Sequence, residues 1–287
     1  MDKATLIADE TGARLSLNQG VVVLEQPDGR KHRVGMEGLK QIVVKGDLHL
    51  SSKLIMGCLG ADVSLVLLPG RSREPARHLF AQHSGMQRER LAQYAAYLDE
   101  GRRLALAQQA VVAKIEAQSD CLRNRGLVTD LGRFVIHARQ TGDVASLLGV
   151  EGAASARYFS AWSTLVPPIW GFNGRNRRPP RDPVNALMSL SYTLVSHAMG
   201  RLASQAGLEP ALGFLHAPDP GRPSLALDLM EPLRPWVDEW VLSLCEGGEM
   251  APEAFPQDAA LGCRVSKPAS GRYYQHWFGG ASTWSKP

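Results

Sequence analysis

Leu68-Pro69-Gly70-Arg71-Ser72-Arg73-Glu74-Pro75 divides the chain into two parts whose apolar patterns differ. Its prolines and glycine end regular elements and its charges favour water, so the run predicts a domain linker. Before it, short β-branched and apolar runs at 14–17, 20–24, 41–44 and 63–68 alternate with turn residues, and Pro27-Asp28-Gly29 suits a reversal of the chain. They predict a small β-rich, sandwich-like domain over residues 1–75, with a helical turn at Leu54–Cys58. After the linker, residues 87–118 are rich in Ala, Leu, Gln, Arg and Glu and contain no proline, which predicts one long helix or two in series. Helices are also expected at 144–162, 183–205 and 224–244, the last breaking near Pro232 and Pro235, where the ring cannot donate a backbone hydrogen bond. Residues 76–287 therefore read as a larger, mostly α-helical domain.

A chain of 287 residues with 44% hydrophobic and 21% charged residues has the composition of a folded, soluble protein with ample core. No run of about 18 apolar residues is present, and residues 1–20 carry Asp2, Asp9, Glu10 and Arg14 where a signal peptide needs an apolar stretch. Membrane insertion and export are thus not expected. Cys58, Cys121, Cys245 and Cys263 lie far apart and form no CxxC pair, which points to free thiols in a reducing cytoplasm. The net charge of +4 is too small to establish nucleic-acid binding without local clustering. Acid and base balance up to residue 70, and the positive excess begins after it.

The chemistry concentrates in Gly213-Phe214-Leu215-His216, a Pro/Gly loop, and Ser224-Leu225-Ala226-Leu227-Asp228-Leu229-Met230-Glu231-Pro232. Ser224 is placed to cap a helix on which Asp228 and Glu231, three residues apart, share a face. The residues around them are apolar, so the carboxylates are expected to be buried and to need a cation or an arginine. A divalent ion meets that need, and if His216 reaches the same point the set suits Mg2+ or Mn2+ acting on phosphate oxygens. The residues alone leave other readings open. His216 can be a hydrogen-bonded structural histidine, Asp228 and Glu231 can pair with Arg222 and Arg234, and Glu151 can simply favour the positive end of its helix.

A second irregular stretch, 170–183, places Arg175, Arg177, Arg178 and Arg181 within seven positions of a proline-framed loop. Arginines so held suit bidentate contact with DNA phosphates, although a solvated charged loop has the same composition. In the tail, Arg264, Lys267 and Arg272 accompany Tyr273, Tyr274 and Trp277, which suits single-stranded ends or ordinary packing.

The strings Leu147-Leu148-Gly149-Val150-Glu151-Gly152, Arg177-Arg178-Pro179-Pro180-Arg181-Asp182-Pro183-Val184-Asn185-Ala186-Leu187, Gly213-Phe214-Leu215-His216 and 223–231 resemble, in order and spacing, the motifs of the CRISPR-associated protein 1 family. Ala113-Lys114-Ile115-Glu116-Ala117-Gln118 is similar to that family's helix ahead of the catalytic region. The resemblance implies a β-rich first domain, a helical catalytic domain, and Mg2+ or Mn2+ held by Glu151, His216 and Glu231, with Asp228 beside the site. It also implies a reaction: integration of spacer DNA into a repeat array by attack of a 3′ hydroxyl on a phosphodiester, with associated endonuclease activity. Implied partners are DNA (spacer precursor and repeat), a second copy of the chain, and CRISPR-associated protein 2 bridging two dimers. Expected DNA contacts are Arg175, Arg177, Arg178, Arg181 and Arg272. A nuclease that cuts branched or single-stranded DNA without joining it, and a non-catalytic DNA-binding scaffold, are the competing readings.

Overall fold

The structure, a computed structural model, describes residues 3–69, 76–79, 87–176, 179–258 and 262–279. The chain forms two compact units, Met1–Ser84 and Gly85–Pro287.

The first unit contains β1 (Ala4–Ala8), β2 (Arg14–Asn18), β3 (Val21–Glu25), β4 (Lys31–Gly35), β5 (Leu39–Lys45), β6 (His49–Leu50), α1 (Ser52–Gly60), β7 (Ser64–Leu68) and β8 (Arg77–Leu79). They build two four-stranded sheets, in the orders β1-β5-β7-β8 and β4-β3-β2-β6. Alternation on β3 turns Val22 and Leu24 inward, and Leu15, Ile42, Val44, Leu65, Leu54 and Cys58 join them, so both sheets and α1 share one core. This is the β-rich, sandwich-like domain expected from the strand pattern. Period-2 reading does not reveal strand direction: β5 pairs parallel to both β1 and β7, and the β5-to-β7 crossover passes through α1. Strand β8 pairs antiparallel with β7, so pairing in this unit continues beyond the expected boundary at residue 75. From Gly70 onward the expected linker lies outside the described residues.

The second unit contains α2 (Gln87–Leu98), α3 (Glu100–Asn124), α4 (Gly132–Gln140), α5 (Val144–Trp162), α6 (Pro183–Gln205), α7 (Ser224–Met230), α8 (Arg234–Gly247) and α9 (Lys267–Gly279). The two short strands β9 (Gln257–Asp258) and β10 (Gly262–Cys263) pair with each other. The helices start where side chains satisfy backbone N–H groups: Asp99 accepts from Arg102, Asp143 from Ser146 and Asp182 from Asn185. Asp99 thereby separates α2 from α3, giving two helices in series. Pro232 lies in a 3-10 turn, Glu231–Leu233, that divides α7 from α8. Helix α3 turns Val111, Ile115, Gln118 and Leu122 inward, and Tyr158 and Trp162 of α5 are fully buried. Each such aromatic contributes about 2–3 kcal/mol by leaving water. No helix among the described residues is long and apolar enough to cross a membrane.

Candidate metal centre

Three elements meet in the helical unit. Glu151 comes from the middle of α5, Glu231 from the turn after α7, and Lys114 from the inward face of α3. The Lys114 side chain is 3% exposed, and its Nζ contacts Glu151 Oε1 and lies 2.5 Å from Glu231 Oε2. Glu231 is as deeply buried, and its other oxygen accepts from Arg234 Nε at 2.8 Å. Burial works to raise the Glu231 pKa, but Arg234, Lys114 and His216 overcome it and hold the carboxyl at about 2. Among the described residues Glu231 Oε2 accepts no well-formed hydrogen bond, and the Lys114 ammonium lies against it. Glu151 also accepts from Ser155 Oγ at 2.8 Å and lines a cleft of about 610 Å³ with Phe159, Ser163, Asn173 and Arg175.

His216 is oriented from the opposite side. Asp228 Oδ2 accepts the backbone N–H groups of Phe214 (2.5 Å) and Leu215 (2.9 Å), while Oδ1 accepts those of His216 (3.0 Å) and its ring Nδ1 (2.7 Å). With Asp228 as acceptor, Nδ1 carries the proton and Nε2 keeps its lone pair for another partner. The loop has no room for a side chain at Gly213, where a β-carbon would lie 2.7 Å from His216 O and from Ser224 C. Gln93 of α2 braces the approach by bonding Glu209 and Leu212, and Arg103 of α3 donates to Phe214 O at 3.1 Å.

Several sequence expectations change at this point. Asp228 and Glu231 do not act as a side-by-side pair, because Asp228 is committed to the Phe214–His216 loop and Glu231 to Lys114 and Arg234. Arg222 pairs with Asp219 rather than Asp228. Ser224 does not cap α7; its hydroxyl donates to Ala217 O at 3.0 Å. Glu151 is two turns inside α5, whose N-terminus belongs to Asp143, so the helix dipole does not explain it. Among the described residues no three His, Cys, Asp or Glu side chains are gathered closely enough to hold a metal as they stand. The donor types nevertheless fit a hard divalent cation: two carboxylates from separate elements, an imidazole fixed by a carboxylate, and a cation already between the carboxylates in the form of Lys114.

The model of the family described as CRISPR associated protein Cas1 matches residues 6–278. The chain belongs to the Cas1 family. A "CRISPR-associated endonuclease Cas1" from Thermus thermophilus is 34% identical over 282 residues, covering 94% of this chain and 82% of the relative. A Cas1 protein from Thermotoga maritima has the same fold, with a TM-score of 0.87 at 23% identity over 97% of this chain and 89% of that one. A casposase bound to its integration product aligns with a TM-score of 0.86 at 23% identity, covering 95% and 81%. A chain of a Cas6-RT-Cas1–Cas2 complex aligns with a TM-score of 0.83 at 20% identity; this chain spans all of its own length but 33% of that one.

In this Cas1 chain the arginine loop divides. Arg175 is half-buried, donating to Asn185 Oδ1 at 2.6 Å and lying 5.4 Å from the centre of the Tyr192 ring. It is thus built into the α6 start, not onto the outer face of the loop. Arg181 and Arg272 are exposed, and Arg177 and Arg178 lie outside the described residues. Tyr273 and Tyr274 are buried, with Tyr273 OH 2.9 Å from Ser191 Oγ and its ring edge-on to Trp240, so these tail aromatics pack α9 into the core. The four described cysteines are free and buried.

Sequence reading assigned no role to Lys114, Asn185, Tyr192 or Asp238. Asn185 is fully buried and ties Gly174, Asn176, Arg175 and Asp182 together. Tyr192 donates to Asp238 and receives the Arg234 guanidinium 4.7 Å from its ring centre, placing a buried polar network behind Glu231. Burial pushes the Asp238 carboxyl up to about 6, against the opposing influence of Tyr192, Tyr158, Arg175 and Arg234. One signal was available for Lys114: it falls between Val111 and Gln118 on the inward stripe of α3, where a charge requires a partner.

Proposed function

We propose that this Cas1 chain is a metal-dependent DNA integrase that joins spacer DNA to a repeat by phosphodiester transfer. The observation that carries the reading is that Lys114 bridges Glu151, which lines a cleft, to Glu231, whose carboxyl also feels the Asp228-held His216, in a chain of this family. Glu151, Glu231 and His216 Nε2 would hold Mg2+ or Mn2+. When bound, the ion lowers the pKa of an attacking hydroxyl and neutralises charge on the phosphate oxygens. Asp228 keeps the imidazole in one tautomer, and Arg234 keeps Glu231 ionised and fixed. The 3′ hydroxyl of one strand loses its proton and forms the new P–O bond; the bond to the repeat's own 3′ oxygen breaks, and that oxygen takes up a proton. No protein nucleophile is required.

DNA phosphates are assigned to exposed Arg181 and Arg272 and to Arg177 and Arg178. Arg181→Ala and Arg272→Ala are each expected to lower the slope of log affinity against log salt by about one, and unchanged slopes would remove those contacts. Insertion at two strands a fixed distance apart needs two active sites on a ruler, which supports a homodimer bridged by CRISPR-associated protein 2. The solved Cas1–Cas2 assembly of similar fold is consistent with that partner.

The test is strand transfer of a labelled 3′-hydroxyl fragment into supercoiled repeat-bearing plasmid, with Mn2+ or Mg2+, the partner, and His216→Ala as control. Joined product that disappears with chelator, with His216→Ala and with a blocked 3′ end supports the integrase. The name of the Thermus relative favours one alternative, hydrolytic cleavage by the same residues with water as nucleophile. Metal-dependent cutting without joining, with the partner bound, would replace the integrase by the nuclease; DNA binding with neither activity would leave a scaffold.

A further inference from the structure

Lys114 is the only buried lysine among the described residues, and it lies where a divalent cation would have to go. Burying an ammonium is costly unless it is paired, and here two carboxylates from separate elements pair it at once. The same contact benefits the carboxylates. Without a cation, Glu151 and Glu231 would face each other with like charge in a poorly solvated place, and α5 and the turn after α7 would be pushed apart. Arg234 already occupies Glu231 Oε1 at 2.8 Å, so Oε2, the oxygen with no well-formed hydrogen bond, is the one that faces Lys114.

An ammonium 2.5 Å from Glu231 Oε2 and in contact with Glu151 Oε1 leaves no place between the two oxygens for a second cation. Two positive centres within about 4 Å repel strongly at the low dielectric of such a site. Lysine is suited to yield, because its charge is a compact point on a four-carbon stem with several rotatable bonds, unlike the planar fork of Arg234.

We propose that Lys114 is an internal placeholder cation: it holds Glu151 and Glu231 together in the metal-free protein and is displaced when a divalent ion binds. This rests on the metal-site reading above. It makes Lys114 a positioning residue that lowers apparent metal affinity while stabilising the metal-free fold. A merely structural lysine would do the reverse, since its loss would disorder the carboxylates and weaken metal binding.

The experiment is calorimetric titration of the full chain with Mn2+ alone, wild type against Lys114→Met, which keeps the stem and removes the charge, with thermal melts of both. The expected result is Mn2+ binding tightened by about tenfold in Lys114→Met, together with a lower melting temperature without metal and a larger upward shift on adding Mn2+. Unchanged or weakened binding in the variant, with normal wild-type binding, would overturn the displacement and leave the metal site standing. Failure of the wild type to bind Mn2+ would overturn the metal-site reading and this inference with it. A measurement on the wild type does not depend on the variant folding: the Nζ resonance of Lys114 should be ordered without metal and should shift or vanish with saturating Mg2+. A resonance unmoved by Mg2+ would refute the displacement.

Discussion

Replacing Asp228 by asparagine isolates what its second charged oxygen does. The carboxylate accepts two contacts on each oxygen: Phe214 and Leu215 N–H on Oδ2, and the backbone N–H and ring Nδ1 of His216 on Oδ1. An amide has one acceptor oxygen, so whichever way it turns, its NH2 confronts one of these donor pairs. Two charge-assisted hydrogen bonds are lost, each worth roughly 1.5–3 kcal/mol, giving a total of about 3–6 kcal/mol. Set against a usual folding stability of about 5–15 kcal/mol, a variant starting above the low end of that range should still fold, with a melting temperature lower by about 6–24 °C. If the amide confronts His216, the ring loses the partner that fixes its tautomer, and Mn2+ affinity should fall about 10- to 100-fold. Scanning calorimetry and Mn2+ titration of Asp228→Asn measure both effects. Wild-type melting and wild-type affinity together would refute the assignment of Asp228 as the clamp of this loop, and a lower melting temperature with unchanged affinity would refute its control of the His216 ring.

Gly213→Ala places a β-carbon 2.7 Å from two backbone atoms and 2.8 Å from Asp228 Oδ2, a side-chain oxygen that two backbone N–H groups hold in place. We expect a loss of about 1–3 kcal/mol by chemical denaturation and weaker Mn2+ binding through a displaced His216; a neutral substitution would show that the loop has slack. Asp238, with its pKa raised to about 6 from an ordinary 3.8, binds a proton in the folded state that the unfolded chain has already released between those pH values. Its contribution to stability is therefore greatest below pH 4 and falls by about 3 kcal/mol as pH rises through 6. Asp238→Asn, which can still accept from Tyr192, should remove that part of the decline in urea melts run from pH 4 to 8, and an unaltered pH profile would contradict it. Asn185→Ala removes four hydrogen bonds to Gly174, Arg175, Asn176 and Asp182 and should cost about 2–4 kcal/mol while weakening DNA binding by filter assay. Full DNA affinity in a folded Asn185→Ala would separate the 174–176 loop from DNA contact.

Where one residue's chemistry acts on its own neighbours, the sequence was readable. Asp143 and Asp182 cap helices whose ends match the expected 144–162 and 183–205, and Pro232 divides the last expected helix through the N–H it lacks. Strands β2, β3, β5 and β7 followed from short apolar runs bounded by turn residues, whereas β1, β4, β6 and β8 did not, because their partners rather than their own patterns define them. The site was legible as a set of residue types but not as an arrangement. Spacing placed Asp228 and Glu231 on one face, yet a turn of helix leaves enough angle between them for one to bond the Phe214–His216 loop and the other Lys114. Partners more than thirty residues away in the chain, such as Lys114 to Glu151, leave no local trace beyond a charge on an apolar stripe. The packing of Arg175 was illegible for a similar reason: its partner Asn185 lies on the next helix, and composition cannot distinguish a half-buried guanidinium from a solvated one.

The three carboxylates around the site differ in how much of their bonding capacity is still available, and that difference orders their roles. Asp228 has both oxygens occupied by donors it cannot release without loosening the loop that carries His216. It can act only through the imidazole. Glu231 has one oxygen held by Arg234, which is itself packed against Tyr192, and a second oxygen that faces Lys114. It is suited to give one oxygen to a cation while the other stays fixed, so the direction of that bond is set before any ion arrives. Glu151 is the least buried of the pair touching Lys114 and lines the cleft, so its carboxylate can reach toward solvent and substrate. On the proposed metal-site reading, Arg234 and Asp228, whose contacts are filled by protein groups, would set the geometry, and Glu151 and Lys114 would supply the capacity to bind. The exchangeable charge would then be confined to a single ammonium, and the fold around it would not need to rearrange on its replacement.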